Sequence, residues 1–569
     1  MRRLLLTCGF LVFGLTAFGA DSPVADAAMN RDVAGIKALI LKKADVNGPQ
    51  ADGSTALHWA AHWDNAELAD LLLKSGANAK AATRLGATPL YLAAENGSAA
   101  MIKRLLTAGA DANATVLSQN ETPLMFAARS GNVESVRVLL DAGAKIDAKE
   151  KLRGTTALVW AAEQGHPEVA KLLLARGADP QAATTVVVPP SAAAGGGRRA
   201  AAPKPAAAKP GAAGAAATPD AAPLAAAPKP AAPKPAPAKP AADAAAADPD
   251  VEGGAIATGT RGGVSALMMA TREQSIETVR ALLDGGAKVD QTAADGTTAL
   301  IVATQNGHAD IAKLLIERGA NVNLANSKGW NPLYMAIKAR TMEKGTMPNP
   351  VLDYPGLFDV VRMLVEHGAN VNARLKANTE VHNGIAATWL REQGATPFLR
   401  AALCGDLQVM KYLLAHGADP KINTNDGTTT LMALSGVGYA EGFMHDFGTP
   451  EESLEAMKLL IDAGIDVNAK NTDDVTALHG AAHKNFVKGI EMLAEKGADL
   501  TARSHRASPF ERVGNPGNTP LDWATGVQIG MQSSIYHPDS VEMVKKLMIA
   551  RGIAPEGLSQ TKGGLAVQK

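Results

Sequence analysis

Two histidine pairs, His58 with His62 and His479 with His483, stand four residues apart. On a helix that spacing turns two imidazoles to one side, where they can share a metal ion. Neither pair is followed by a glutamate or a third ligand at the spacing of a zinc protease, so no metal site is assigned. His445 and Asp446 lie side by side in a stretch rich in glycine and aromatic residues, yet the sequence places no nucleophile next to them. Cys404 is the one thiol outside the first twenty residues, and a lone thiol has two readings: a mixed-disulfide partner, or a small half-buried residue. No G-x-G-x-x-G behind a strand, no P-loop and no G-x-S-x-G elbow occurs. The residues predict neither catalysis nor a cofactor.

Composition narrows the classes further. The chain has 569 residues, with 56 Lys and Arg against 56 Asp and Glu and with 4% aromatic positions. Balanced charge supplies no basic field to concentrate nucleic acid, so no nucleic-acid partner is expected. Residues 1–20 read as an export signal: Arg2 and Arg3, an apolar run from Leu4 to Phe18, then Gly19 and Ala20. The mature chain is therefore expected to start near Asp21 and to work outside the cytoplasm, in a bacterial periplasm or secreted. No later stretch reaches transmembrane length.

The elements that must position any functional side chain are set by a repeat. One phrase recurs as STALHWAA at 54–61, ATPLYLAA at 87–94, ETPLMFAA at 121–128 and TTALVWAA at 155–162, and its leucines Leu57, Leu90, Leu124 and Leu158 are 33, 34 and 34 residues apart. The series resumes at Leu267, Leu300 and Leu333 and continues through Phe398, Leu431, Leu478 and Leu521. Each unit then carries a second apolar run ending in Gly-Ala and Asn or Asp, as in Gly76-Ala77-Asn78. Thr88, Thr122 and Thr396 suit helix N-caps, and Pro89, Pro123 and Pro397 suit the first helical turn. Glycine behind the second run suits a left-handed helix end. Each period therefore reads as helix, tight loop, helix and polar turn, and a pair of that length buries its apolar face only against neighbours.

These phrases resemble the ankyrin repeat, GxTPLHxAA followed by a second helix ending LLxxGADVN. The resemblance covers nearly all of 22–184 and 262–555, and it implies an all-α solenoid. It also implies that His58 and His479 order the turn by hydrogen bonding. The segment 22–50 shows only the second half of the motif, with Lys43 where other units have glycine, and reads as an end cap.

Residues 185–261 are dominated by Ala, Pro, Gly and Lys, so this stretch is expected to be a disordered linker. The expected organisation is a signal peptide at 1–20, an array of about five units at 21–184, the linker, an array of about seven units at 262–555 and a disordered tail at 556–569. Two arms on a tether could hold two partners, or one partner twice. Whether the arms dock on each other stays open. From 191 to 240 there are seven Lys or Arg against one Asp, which suits a solvated spacer or contact with an anionic envelope surface.

The resemblance implies that ligands meet the turn residues and the two positions after the Ala-Ala of each first helix. Those positions are His62 and Trp63, Glu95 and Asn96, Arg129 and Ser130, and Glu163 and Gln164. They continue as Arg272 and Glu273, Gln305 and Asn306, Lys338 and Ala339, and Leu403 and Cys404. Insertions at 340–356, 375–393, 435–450, 504–517 and 526–539 add Tyr354, Trp389, Tyr439, Phe443, Met444, Phe447 and Tyr536, either as interface anchors or as plugs folded over the groove. The expected function is a non-catalytic scaffold binding another protein. The alternative is an enzyme or small-ligand receptor built around Tyr439, His445 and Tyr536.

Overall fold

Helix starts follow the local chemistry. Thr88 Oγ1 accepts the N–H of Tyr91 at 3.2 Å and Thr396 Oγ1 that of Leu399 at 3.2 Å, while Pro89 and Pro397 open the helices behind them. Second helices start on Asn65, Asn132 or Asp406, whose side chains accept from the third residue onward. The computed structural model describes residues 22–116, 119–188, 260–340, 354–379, 390–439, 448–505, 517–526 and 536–555. Residues 1–21, 189–259 and 556–569, and most of the insertions, lie outside these.

Twenty-four helices pair along the described residues, each unit contributing a first and a second helix. Before residue 189 they are α1 (Pro23–Met29) and α2 (Val33–Leu41), α3 (Ala56–His62) and α4 (Ala66–Lys74), α5 (Pro89–Glu95) and α6 (Ala99–Thr107), α7 (Pro123–Ser130) and α8 (Val133–Asp141), α9 (Ala157–Glu163) and α10 (Pro167–Ala175). After residue 259 come α11 (Ala266–Arg272) and α12 (Ile276–Asp284), α13 (Ala299–Gln305) and α14 (Ala309–Glu317), α15 (Pro332–Arg340) and α16 (Tyr354–Glu366), α17 (Pro397–Leu403) and α18 (Leu407–Ala415). The last are α19 (Thr430–Ser435) and α20 (Pro450–Asp462), α21 (Ala477–His483) and α22 (Val487–Glu495), α23 (Pro520–Gly526) and α24 (Pro538–Ala550).

First helices stack on first helices from α1 to α23, and second helices form a second row behind them. The anchoring Leu57, Leu158 and Leu478 and the paired alanines Ala60-Ala61, Ala93-Ala94 and Ala161-Ala162 are wholly or almost wholly buried between the rows. Small residues there let neighbouring helices approach closely, and the anchors fill the space between.

The first unit corrects one expectation. Residues 22–50 lack the opening phrase, yet Pro23–Met29 form a complete first helix with Val24, Ala25 and Ala28 buried. Val24 replaces the usual leucine, which hides the match. Lys43 adopts φ 60°, the left-handed conformation that Gly76 holds at φ 89°.

The question of docking between the arrays also has an answer. Described residues on both sides of 189–259 belong to one compact unit, with α9 against α11 and α10 against α12. The turn entering α11 is built from two distant stretches: Ala183 bridges Ser265, and Val187 exchanges both backbone hydrogen bonds with Arg261, at 2.8 and 2.9 Å. Thr185 N–H donates to Arg153 O in the preceding turn, and Ala294 N–H in the next turn donates to Gly262 O. Gln181 Nε2 donates to Gly286 O at 2.9 Å and its Oε1 accepts from Lys288 N at 3.0 Å. Asn47, Asn113, Asn323, Asn372 and Asn468 bridge successive units in the same way. The seam is an ordinary repeat interface, so the two arrays make one stack, and residues 189–259 are an insertion in a single turn.

Candidate functional site

The slots that face away from the paired alanines form a stripe along the first helices. At its start Trp59 stacks on Trp63 with ring centres 6.1 Å apart, His62 meets the Trp63 ring edge-on at 4.5 Å, and the Arg31 guanidinium lies 3.9 Å over Trp63. Trp59 Nε1 donates to Gln50 Oε1 at 2.7 Å, whereas Trp63 Nε1 is shielded and has no acceptor. Stacked cation and rings make a half-exposed anchor of low conformational entropy.

Further along, Tyr91, Phe126 and Trp160 pack edge to face at 4.6 and 5.3 Å. Arg129 lies 5.2 Å over Phe126 and 5.5 Å over Trp160, and its other side pairs with Glu95 at 3.5 Å. Burial and the Glu95 carboxylate push the Tyr91 phenol well above its ordinary pKa. Glu121, beneath them, is pushed up by burial and by the neighbouring Glu150. Asn96 is committed to the stack, since its amide donates to Ala61 O at 3.1 Å and His62 O at 2.9 Å, the last carbonyls of α3. Glu163 receives Arg153 through two bonds of 3.1 and 3.0 Å and faces Arg272 across the seam at 3.9 Å. Gln164 is exposed and Gln305 half-buried.

From α15 to α19 the same slots are covered, and behind α21 they are half-buried again at His483 and Lys484. Every residue of α15, α17 and α19 is buried, Lys338 and Leu403 among them, as is Cys404 just behind α17. Lys338, expected on an open face, keeps 8% exposure and donates to Thr379 O at 3.3 Å. The physical reason is the insertion behind α16, whose described ends return over the helices. Leu375 and Leu390 join Trp330, Tyr334, Leu399 and Leu403 in a second apolar cluster. Glu392, fully buried, accepts the Tyr334 hydroxyl at 2.8 Å, Thr379 N at 2.6 Å and Thr379 Oγ1 at 2.7 Å. Beside it, Arg340 meets Asp406 at 2.6 Å with side-chain exposures of 3% and 0%. Burial raises the Asp406 carboxyl, and the adjacent Arg340 opposes that rise. Of the two readings of the insertions, these residues follow the one in which they fill the groove.

Of the aromatic residues of the insertions, Tyr439 and Tyr536 have described side chains. Tyr439 is half-buried against the second cluster with Lys484 4.9 Å over its ring, and Tyr536 stands 60% exposed ahead of α24. Tyr354 opens α16; Trp389, Phe443, Met444, His445, Asp446 and Phe447 lie outside the described residues. A cleft of about 310 Å³ runs between turns, lined by Asn323, Asn331, Asn370, Arg374 and Lys376 among others. It holds no nucleophile beside a base.

The histidine pairs are accounted for structurally. His58 Nε2 faces Ala87 O at 3.0 Å, so it carries the proton, and Nδ1 accepts from Thr55 N at 3.1 Å. His479 does the same with Asn518 O and Thr476 N. With both nitrogens used, neither ring is free to ligate a metal. Burial lowers both pKa values, that of His479 to about 4.

Sequence reasoning missed Trp59, Phe126, Trp160 and Arg31. The first three share one slot, immediately ahead of Ala-Ala, which in α5 holds Leu92. Aligning the units column by column would have shown that aromatic stripe, whereas Arg31 reaches it from a loop.

Family models for ankyrin repeats match residues 24–116, 103–184 and 267–375, and two further ankyrin-repeat models match 381–434 and 444–494. Alpha-latroinsectotoxin-Lt1a from Latrodectus tredecimguttatus is 29% identical over 112 residues, covering 20% of this chain and 7% of that protein. Alpha-latrocrustotoxin-Lt1a from the same species is 27% identical over 124 residues, or 21% of this chain and 8% of that protein. An ankyrin repeat protein of Rickettsia felis is 27% identical over 114 residues, 20% of this chain and 33% of its own length. The chain thus spans a third or less of each of these relatives. Repeated phrases, paired helices in two rows and the family matches along both arrays agree: this chain is an ankyrin repeat protein.

Proposed function

We propose that the chain is a protein-binding scaffold that acts outside the cytoplasm and grips its partner along the open first-helix stripe from Trp59 to Gln305. Ankyrin repeats imply an interaction scaffold; the finer assignment rests on one contrast. The slots behind Ala-Ala are exposed or half-buried from His62 to Gln305 and buried from Lys338 to Cys404, and they are half-buried again at His483 and Lys484. A preformed surface loses little conformational entropy on binding, and Trp63 with Arg31 has the composition of an energetic anchor. Export rests on residues 1–20, and the basic stretch 191–240 supports additional contact with an anionic envelope surface.

The test is a photo-crosslinking side chain placed at Trp63, Gln164 or Gln305 and, as a control, at the exposed Ile549 on α24. The expected result in envelope fractions is one common adduct from the stripe and none from Ile549. No adduct from any stripe position overturns the assignment. N-terminal sequencing of the exported form should begin near Asp21, and a cytoplasmic chain retaining Met1 would overturn the compartment. No observation among the described residues favours the small-ligand alternative, and its His445 lies outside them.

A further inference from the structure

The polar turn entering each first helix is a small hairpin, or finger, and successive fingers are linked by backbone bonds such as Arg84 N to Asp52 O, Lys151 N to Gln119 O and Thr185 N to Arg153 O. In several fingers an acidic residue folds inward to hold the turn. Asp52 accepts from Ser54 N and Oγ at 2.8 and 2.7 Å, and Asp295 accepts from Thr297 N and Oγ1 at 2.9 and 2.8 Å. The fingers ahead of α5, α9 and α11 carry exposed apolar residues as well, although in the α9 finger Glu150 still holds the turn, accepting from Arg153 N, Thr155 N and Thr155 Oγ1 at 2.8, 2.9 and 2.8 Å. Leu85 stands in the slot of Asp52 and is 72% exposed, Leu152 is 50% exposed, and Val186, Val187 and Val188 are 50%, 58% and 71% exposed. Among the described residues these five make up most of the large apolar side chains left in solvent. Arg84 and Lys151, beside the two leucines, are exposed and form no ion pair with any described carboxylate. From α13 onward the finger tips turn polar, with Asp295, Ser327, Lys328, Asp426 and Asp473.

We infer that these finger tips form a contact edge for an anionic lipid surface, with Leu85, Leu152, Val186 and Val187 entering the interface and Arg84 and Lys151 meeting lipid phosphates. Exposed apolar side chains on tips that gain no packing cost solubility, and here they stand on three of the four successive fingers ahead of α5 to α11, residues 117–118 of the remaining finger lying outside the described residues. Leu and Val alternating with Arg and Lys match interfacial attachment. Protein hot spots favour Trp, Tyr and Arg over Leu and Val, and the aromatic anchors sit instead on the helix stripe. This edge is independent of the protein-binding stripe.

The test is co-sedimentation of the chain from Asp21 onward with phosphatidylglycerol:phosphatidylcholine vesicles and with pure phosphatidylcholine vesicles. A variant lacking 189–259 separates the edge from the basic insertion. Its break is closed by a short Gly-Ser link, which the Val187 to Arg261 pairing permits. Both forms are expected to bind the anionic vesicles only. Arg84→Glu and Lys151→Glu should each weaken binding at least fivefold, the loss of about one cation's attraction to the surface. Leu85→Asp with Leu152→Asp should abolish binding while leaving the thermal melt unchanged. A Leu152→Cys chain carrying an environment-sensitive dye should shift to the blue on anionic vesicles, because Cys404 is buried and stays unlabelled. Loss of binding on removing 189–259, or undiminished binding by the Leu85/Leu152 variant, overturns the inference. A photo-crosslink from position 152 to a protein in lipid-free extract would assign the edge to a protein instead.

Discussion

The first-helix face of α3 to α13 and that of α15 to α19 are built from one repeat and end in opposite states. In the former, the residues behind Ala-Ala stay exposed or half-buried and pair laterally, Glu95 with Arg129 and Glu163 with Arg272. In the latter, a returning segment seals the face with an apolar cluster and the buried Glu392, while Arg340 pairs with Asp406 out of solvent. One repeat therefore supplies both a surface to offer and a surface to close, and what separates them is the chain inserted between units. A partner that needs the whole stack would find only the first part of its face open.

That contrast can be broken most severely at the covered end. Arg340→Ala leaves Asp406 buried without its cation and should cost about 3–5 kcal/mol, read as a large drop in denaturant midpoint. The next effect is acid sensitivity. His479 titrates at about 4 in the fold against an ordinary value of 6.5, so between those values the unfolded chain binds more protons. Stability should fall as pH drops from about 6.5 towards 4, by about 3 kcal/mol in all, and flatten below that. His479→Asn should remove most of this slope in pH-dependent melts, while His58→Asn on the less deeply buried counterpart should remove less.

Smaller effects sharpen the comparison at the seam and on the open face. Gln181→Ala takes away two bonds that tie the arrays together and should cost about 1 kcal/mol, with faster amide exchange confined to the units on either side. Deleting 189–259 with a short link should leave this value unchanged. Arg129→Ala breaks an exposed pair and should move stability by less than about 1 kcal/mol. If it costs as much as Arg340→Ala, the open face is a structural face and the assignment of the stripe fails.

Much of the fold was legible because the repeat writes its own packing rules. Threonine caps, proline at the first helical turn, alanine pairs and glycine ends are local signals, and they recur often enough to fix helices such as α5, α7 and α17. The role of His58 and His479 was legible too, since their slot is part of the repeated phrase. The first helix of the stack was hidden where Val24 replaces leucine. Lys338 was misplaced because its slot predicts exposure and nothing near it in sequence announces Thr379 above it.

By itself, then, the sequence determined which residues become helices, which face of each helix is apolar and the period at which units stack, because those depend on neighbours within a few turns of chain. Only the tertiary structure decided that the arrays on either side of 189–259 share one stack. It also decided that a face open from Trp59 to Gln305 is closed from Lys338 to Cys404. Both outcomes depend on where distant segments return: the pairing of Val187 with Arg261, and the descent of Glu392 onto Tyr334. Contacts across so many residues follow from the geometry of stacking, which no local pattern of residue types encodes.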